Sequence, residues 1–471
     1  MRPSGLLVFD RQPPSVGLSD IVEFMKILRH CLPVISAAVL WCGTHSSPGG
    51  DWPQFRGPGA MGTVENPNLP DTWSPTENVA WKASVPGRGW SCPVVQGKRI
   101  FLTTAISATE EEPVKEGLYF GGERPTPSAV HEWRVLCLDL DSGKTLWEKT
   151  VFKGAPVHAR HLKNSYASET PVTDGERLHA YIGNVGLFTF DMDGKELWNR
   201  QWDPVKTRYG WGTAASPILH RDRIYVLNDN DSASFLTALD RKTGEVIWKV
   251  DRDEGSNWSP PFVWENKLRS EIITTGSGKV RSYGLDGKLL WTLTGLSSIT
   301  VSSPFASDGL LYFGSGYVGD KRKPFFAIKP GATGDISLHE EETTNEFIAW
   351  CQKGAAPYMP TPVLYHDRVY ILLDRGMLSA FDAKTGRQLY DRERLGGATQ
   401  FTASPLAWNG RIFCFSERGQ TSVIEAGDSF KLVRQNDLGE MIMATPAIAG
   451  DSLLIRTESH LWCLRKPGQV P

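Results

Sequence analysis

From residue 78 onward the chain is a succession of short runs in which apolar, β-branched and aromatic residues dominate, each bounded by Gly, Asp or Asn. Runs of this length predict strands, and the Asp-Gly and Thr-Gly pairs between them predict tight hairpin turns. One template of about 40 residues recurs eight times: a small residue and a Pro, an apolar run, a turn, a second run, a turn Gly and an aromatic. The prolines are Pro93, Pro171, Pro217, Pro261, Pro304, Pro362, Pro405 and Pro446, with five of the seven steps between 41 and 46 residues. The two long steps carry insertions, Ala105 to His131 in the first unit and Gly316 to Glu346 in the fifth.

The second half of the template is sharper. Asp141-Ser-Gly143-Lys-Thr-Leu-Trp147, Asp193-Gly194-Lys-Glu-Leu-Trp198, Lys242-Thr-Gly244-Glu-Val-Ile-Trp248, Asp286-Gly287-Lys-Leu-Leu-Trp291 and Lys384-Thr-Gly386-Arg-Gln-Leu-Tyr390 each place an aromatic four residues after a turn Gly. Upstream of the turn one packing slot recurs, filled by Cys137, Thr189, Ala238, Ser282, Ala327, Ala380, Val423 and Cys463. Four short strands per unit predict an all-β, eight-bladed β-propeller of four-stranded antiparallel blades, an architecture whose radial repetition leaves only short edges. The last unit, Thr445 to Lys466, supplies three strands. Asn78 to Pro86 carries a strand and Trp81 without a repeat of its own, so this N-terminal strand is expected to close the eighth blade. The repeat Trp residues are expected to dock between blades rather than to hold a cofactor.

Charge adds a limit: 51 Lys and Arg against 53 Asp and Glu leave a formal charge of −2, which is no nucleic-acid-binding field. Of the seven Cys, five lie in the propeller region, an odd number with no CxxC, so buried free thiols are expected rather than a disulfide or zinc framework. Upstream, Met25-Lys-Ile-Leu-Arg-His and the apolar stretch to Cys42 read as a secretory leader with a short linker over 25–50, too short to span a bilayer comfortably. Residues 1–24 then read as an upstream extension that is not native, 51–77 as a segment packing on the propeller, and 78–468 as one propeller. Export to the periplasm or the extracellular space is expected. Cys42 is the candidate for lipidation, although Trp41 is a poor residue before a lipidated Cys.

The core Ala238-Leu-Asp240-Arg-Lys-Thr-Gly244-Glu-Val-Ile-Trp248 resembles the PQQ-like, or quinoprotein-type, repeat, and the resemblance covers about residues 51 to 467. Asp51-Trp-Pro-Gln-Phe-Arg56-Gly-Pro58 and Asn164-Ser-Tyr-Ala-Ser-Glu-Thr-Pro171 look most like secreted planctomycete-type PQQ-binding-like propellers, and more distantly like BamB-type outer-membrane assembly lipoproteins and quinoprotein alcohol dehydrogenases. The resemblance implies either a binding or assembly scaffold or a PQQ-dependent alcohol or sugar dehydrogenase with Ca²⁺. Against the second stand the missing adjacent Cys pair, the missing CxxCH and the absence of a calcium-loop spacing. A WD40-type platform lacks its Gly-His and Trp-Asp pairs here.

Ring closure gathers the loops before each repeat Pro over one channel mouth. Trp90, Asn164, Tyr166, Arg208, Trp211, Asn257, Trp258, Thr300, Tyr358, Phe401 and Met443 are the candidate ligand-binding residues there, aromatic surfaces with a few orienting polar groups. If chemistry exists, His161 and Glu254 are the candidate catalytic residues: His161 as a base, Arg208 clamping an anion, and Glu254 orienting that anion or accepting a proton. No metal-binding residues are assigned. The acidic insertions, Glu110 to Glu112 and Asp335 to Glu346, are expected to be solvated faces, with a flap or lid as the alternative. The expected function is an exported, monomeric scaffold binding a protein, a peptide or a small polar ligand at the mouth, in free solution or at the membrane periphery.

Overall fold

The computed structural model describes residues 50–468. The segments expected to be a leader and an upstream extension, with Cys42, lie outside them. Eight antiparallel sheets follow one another in chain order, each built from inner to outer strand. Blade 1 comprises Val94–Gln96, Arg99–Ser107, His131–Asp139 and Thr145–Gly154. Blade 8 comprises Ala447–Ala449, Ser452–Arg456 and His460–Leu464, and its outer strand is Val79–Ser84, with Trp81 opposite Cys463. The strand from the front of the chain therefore seals the ring.

The repeated packing slot has a geometric cause. In every blade its residue stands directly across the ladder from the repeat aromatic or its substitute: Cys137 from Trp147, Ala238 from Trp248, Ala327 from Trp350, Ala380 from Tyr390 and Val423 from Arg434. A large side chain there would displace the indole. That indole then leans onto the next blade. Trp198 packs over Gly244, where an added Cβ would stand 2.4 Å from a ring carbon, and its Nε1 donates to the Arg241 carbonyl at 3.3 Å. Trp81, Trp147, Trp248 and Trp350 repeat the contact with the carbonyls of Leu140, Met192, Leu285 and Ala383 at 2.9–3.0 Å. Gly244 is thus required twice, for its φ of 71° and for the flat surface that it leaves under the ring.

Trp291 of blade 4 departs from this rule. Its Nε1 donates at 2.7 Å to Glu271, a fully buried carboxylate that also accepts from Ser282, Asn266 and Arg269. The fifth unit's insertion takes over that side, since Gly334–Asp335 adds a parallel strand to the outer strand of blade 4, Leu289–Thr294. Residues 335–337 of the second acidic insertion therefore lie at the rim of blade 4, where the Ser337 hydroxyl accepts from Thr294 N–H, and they form no lid. The five described cysteines are all buried free thiols.

Candidate functional site

A cavity of about 530 Å³ lies on the axis, and the chain builds its floor, wall and roof from three different devices. The floor comes from the segment before the propeller. Trp52 pairs with Val95 of blade 1, the Pro53 carbonyl accepts from Thr173 of blade 2, and the Arg56 guanidinium donates to the Thr361 and Pro362 carbonyls of blade 6 at 2.8 Å. Blades 2 and 6 face each other across the ring, so Gln54 and Phe55 cross the axis, and Phe55 lines the cavity from below. The segment continues to blade 7, where Thr63–Val64 runs parallel to Leu406–Trp408.

The wall is the position just before each repeat Pro. Cys92, Thr170, Ser216, Pro260, Ser303, Thr361, Ser404 and Thr445 all line the cavity. Their backbone N–H groups donate to the hydroxyl of the next blade: Cys92 to Thr170 at 3.0 Å, Thr170 to Ser216 at 2.9 Å, Ser303 to Thr361 at 3.0 Å, and Thr361 to Ser404 and Ser404 to Thr445 at 2.9 Å. Cys92 stands in the belt without a hydroxyl, and burial pushes its thiol pKa up to about 11. The belt breaks at Pro260, which has neither N–H nor hydroxyl, and the buried Ser303 hydroxyl is left without a partner.

The roof is the first insertion. Phe120 meets Tyr209 edge-on at 4.9 Å and Trp211 at 6.0 Å on the side of blade 3. On the opposite side Gly117 N–H donates to Glu417 of blade 7 at 2.8 Å, and Glu116 pairs with Arg418. Residues 116–120 therefore form a strap across the mouth. Its root is held by Glu111, which meets Arg160 at 2.5 Å and lies 3.7 Å from Arg88 and His131. Burial opposes ionisation of Glu111, but the His131 contact and the two guanidinium groups outweigh it and hold its pKa at about 2. Glu111 is not the solvated side chain expected from the acidic run. Sequence reasoning found the insertion but not its path, since nothing local encodes a contact between Gly117 and Glu417.

Of the candidate residues, Trp90, Asn164, Trp211, Trp258, Tyr358, Met443 and His161 line the cavity. Trp211 and Trp258 stand 5.8 Å apart, and Tyr317 and Tyr358 meet edge-on at 5.2 Å. The others stand elsewhere. Tyr166 turns to the root of the strap, its hydroxyl donating to the His158 carbonyl at 3.0 Å, beside a lesser cavity of about 180 Å³. Arg208 lies over Tyr209 and reaches only the Ser298 carbonyl at 3.5 Å. Asn257 and Thr300 are buried against each other, Asn257 Oδ1 accepting the Thr300 N–H at 2.9 Å, and Phe401 is wholly in the core. Glu254 pairs with Arg281 and accepts from Ser277 N–H, so it neither touches Arg208 nor faces the cavity. Mouth loops must cap the inner strands as well as line a pocket, and these residues do the former.

His161 lies beneath the strap, with Tyr119 at 5.0 Å and Trp211 at 5.4 Å, and its Nδ1 accepts the Lys163 N–H at 3.1 Å. Burial lowers its pKa to about 4, so it is a neutral imidazole at pH 7 and no base poised near neutrality. Sequence reasoning missed Phe55, Tyr119, Tyr317 and Arg375. Lys163 pairs at 2.6 Å with Glu417, whose carboxylate also accepts from the Thr402 hydroxyl. Among the described residues no carboxylate side chain lines the cavity. A tricarboxylate quinone held over Ca²⁺ requires oxygen ligands for the cation and several positive groups for its own charges. The wall has no carboxylate for the cation, its hydroxyls are largely engaged with neighbouring blades, and Lys163 is paired with Glu417, so the residues present do not fit that group.

Residues 74–250 and 232–469 each match the family of PQQ-type repeats described as outer membrane protein assembly factor BamB. BamB of Shewanella oneidensis is 22% identical over 241 residues, 48% of this chain and 57% of that protein. BamB of Burkholderia pseudomallei is 21% identical over 210 residues, 40% and 52% of the two chains. The match spans little more than half the length of these relatives. Among solved structures, the quinohemoprotein alcohol dehydrogenase of Comamonas testosteroni aligns at a TM-score of 0.57 and 12% identity, over 90% of this chain and 82% of its own. A europium-containing methanol dehydrogenase aligns at 0.53 and 11%, over 87% and 90%. At such identities the likeness is one of fold. With a match that takes in most of its length, the chain belongs to the PQQ-repeat family described as outer membrane protein assembly factor BamB.

Proposed function

We propose that the protein is an exported binding scaffold of the assembly-factor type, and that it holds a small ligand or a short peptide segment in the axial cavity. The observation that carries this reading is the cavity itself, aromatic on several sides and placed between two straps that the chain lays across its own ring. Its volume suits a small molecule or one or two side chains, and its apolar wall offers contact area while the hydroxyl belt is largely occupied with itself. The family membership supports a scaffold role. Export rests on the leader pattern, and the intact mass of the secreted protein reports leader removal and acylation together.

The test is titration with the neutral fluorophore N-phenyl-1-naphthylamine. One site per chain is expected, weakened at least about tenfold by Trp258→Ala, which removes a wall indole. Arg208→Ala, outside the cavity, is expected to leave binding unchanged. Equal binding by the Trp258 variant, with circular dichroism unaltered, would remove the cavity from consideration.

A further inference from the structure

The charges along the wall say more about the occupant. Two cationic side chains, Lys163 and Arg375, line the cavity. Lys163 is already neutralised, its Nζ 2.6 Å from the Glu417 carboxylate, which is itself almost wholly buried. Arg375 is different. It sits in the turn between Arg368–Leu373 and Met377–Asp382 of blade 6, is exposed, and forms no ion pair among the described residues. The nearest carboxylate in sequence, Asp374, is directed elsewhere: it is buried and accepts the N–H groups of Tyr358 and Met359 at 3.0 Å, fixing the loop beside which Arg375 stands. His161 contributes no positive charge at neutral pH, as described above. Arg375 is thus the one lining side chain whose positive charge no described carboxylate pairs, in a chamber walled largely by indoles, phenols, methionines and hydroxyls.

We infer that the cavity selects a ligand with one negative charge, an amphipathic monoanion whose apolar or aromatic body lies among Trp211, Trp258, Tyr317 and Tyr358 and whose carboxylate, sulfonate or phosphate monoester pairs with Arg375. A second negative charge finds no free partner, because recruiting Lys163 would strip Glu417 of its counter-ion inside the protein. A cation meets the like charge of Arg375. This inference rests on the cavity-binding reading and adds the sign and number of charges.

The experiment compares two probes of similar body on the full chain: 8-anilino-1-naphthalenesulfonate, a monoanion, and N-phenyl-1-naphthylamine, its neutral counterpart. Arg375→Gln is expected to weaken the sulfonate at least about fivefold and to leave the neutral probe unchanged, because a paired guanidinium at a partly wet site contributes on the order of 1 kcal/mol. Arg375→Lys is expected to retain most of the sulfonate affinity, and added salt is expected to weaken the sulfonate alone. If the neutral probe binds the wild-type protein while Arg375→Gln affects both probes equally, or neither, the charge selection is wrong and the cavity reading survives. If neither probe binds the wild-type protein, both readings fall together.

Discussion

Arg56 lies fully buried with no carboxylate beside it; its guanidinium donates instead to the carbonyls of Ala60, Met61, Thr361 and Pro362 at 2.8–3.0 Å. Arg56→Met should therefore release the floor strap and leave buried acceptors unmet, lowering stability by roughly 3 kcal/mol or more, which chemical denaturation would measure. Glu169 is the converse case. It is buried beneath the mouth, one carboxylate oxygen has no partner, and burial raises its pKa to about 7 from its ordinary 4.5. The folded state holds this proton longer than the unfolded chain does, so its contribution is fully present below pH 4.5 and is lost as pH rises to 7. Over that window wild-type stability is expected to fall relative to that of Glu169→Gln, by roughly 3 kcal/mol at most. Parallel melting curves of the two proteins from pH 4 to 8 would show the divergence, and curves that stay parallel would refute the assignment. Neither residue could be understood from sequence alone: two of the Arg56 acceptors, Thr361 and Pro362, lie 305 and 306 positions away, and nothing local marks Glu169 as buried.

At the scale of the element, two paired substitutions separate cause from context. Gly244→Ala forces a methyl against the Trp198 ring and strains a residue at φ 71°, whereas Gly410, also at φ 71°, has nothing within 4 Å of an added Cβ. The first should cost roughly 3 kcal/mol and the second about 1, the difference measuring the interblade docking. Likewise Ser404→Ala removes the acceptor of the Thr361 N–H and should cost about 1–3 kcal/mol, while Ser303→Ala removes a hydroxyl that already lacks a partner and should cost much less. The elements themselves were legible, because turn Gly, slot residue and indole all act within a single hairpin and the one that follows. The template's small residue before Pro was legible too, but as a size preference; its hydrogen-bond meaning emerges only when eight copies face one axis. Tyr166, Asn257, Thr300 and Phe401 misled for the same reason, since position along a loop fixes a level on the axis and leaves the direction of the side chain open.

For the molecule as a whole, closure by Val79–Ser84 is the decisive join. Trp81→Ala deletes an indole that bridges blades 8 and 1, and is expected to cost roughly 3–5 kcal/mol. Hydrogen exchange should accelerate first in His460–Leu464 and in the Leu140 turn; uniform acceleration around all blades would argue against a weak seam there. The straps carry a further consequence, for the order of events during synthesis. Both end plates of the chamber are encoded before residue 131, yet their anchors at Thr361 and Glu417 lie 305 and 300 residues downstream of Arg56 and Gly117. A ribosome thus delivers the lids long before the barrel they cover, and for most of translation the future interior has no inside. Whatever molecule is present when blades 6 and 7 finally arrive can be enclosed at that moment, like a keepsake sealed in a locket as the clasp is soldered.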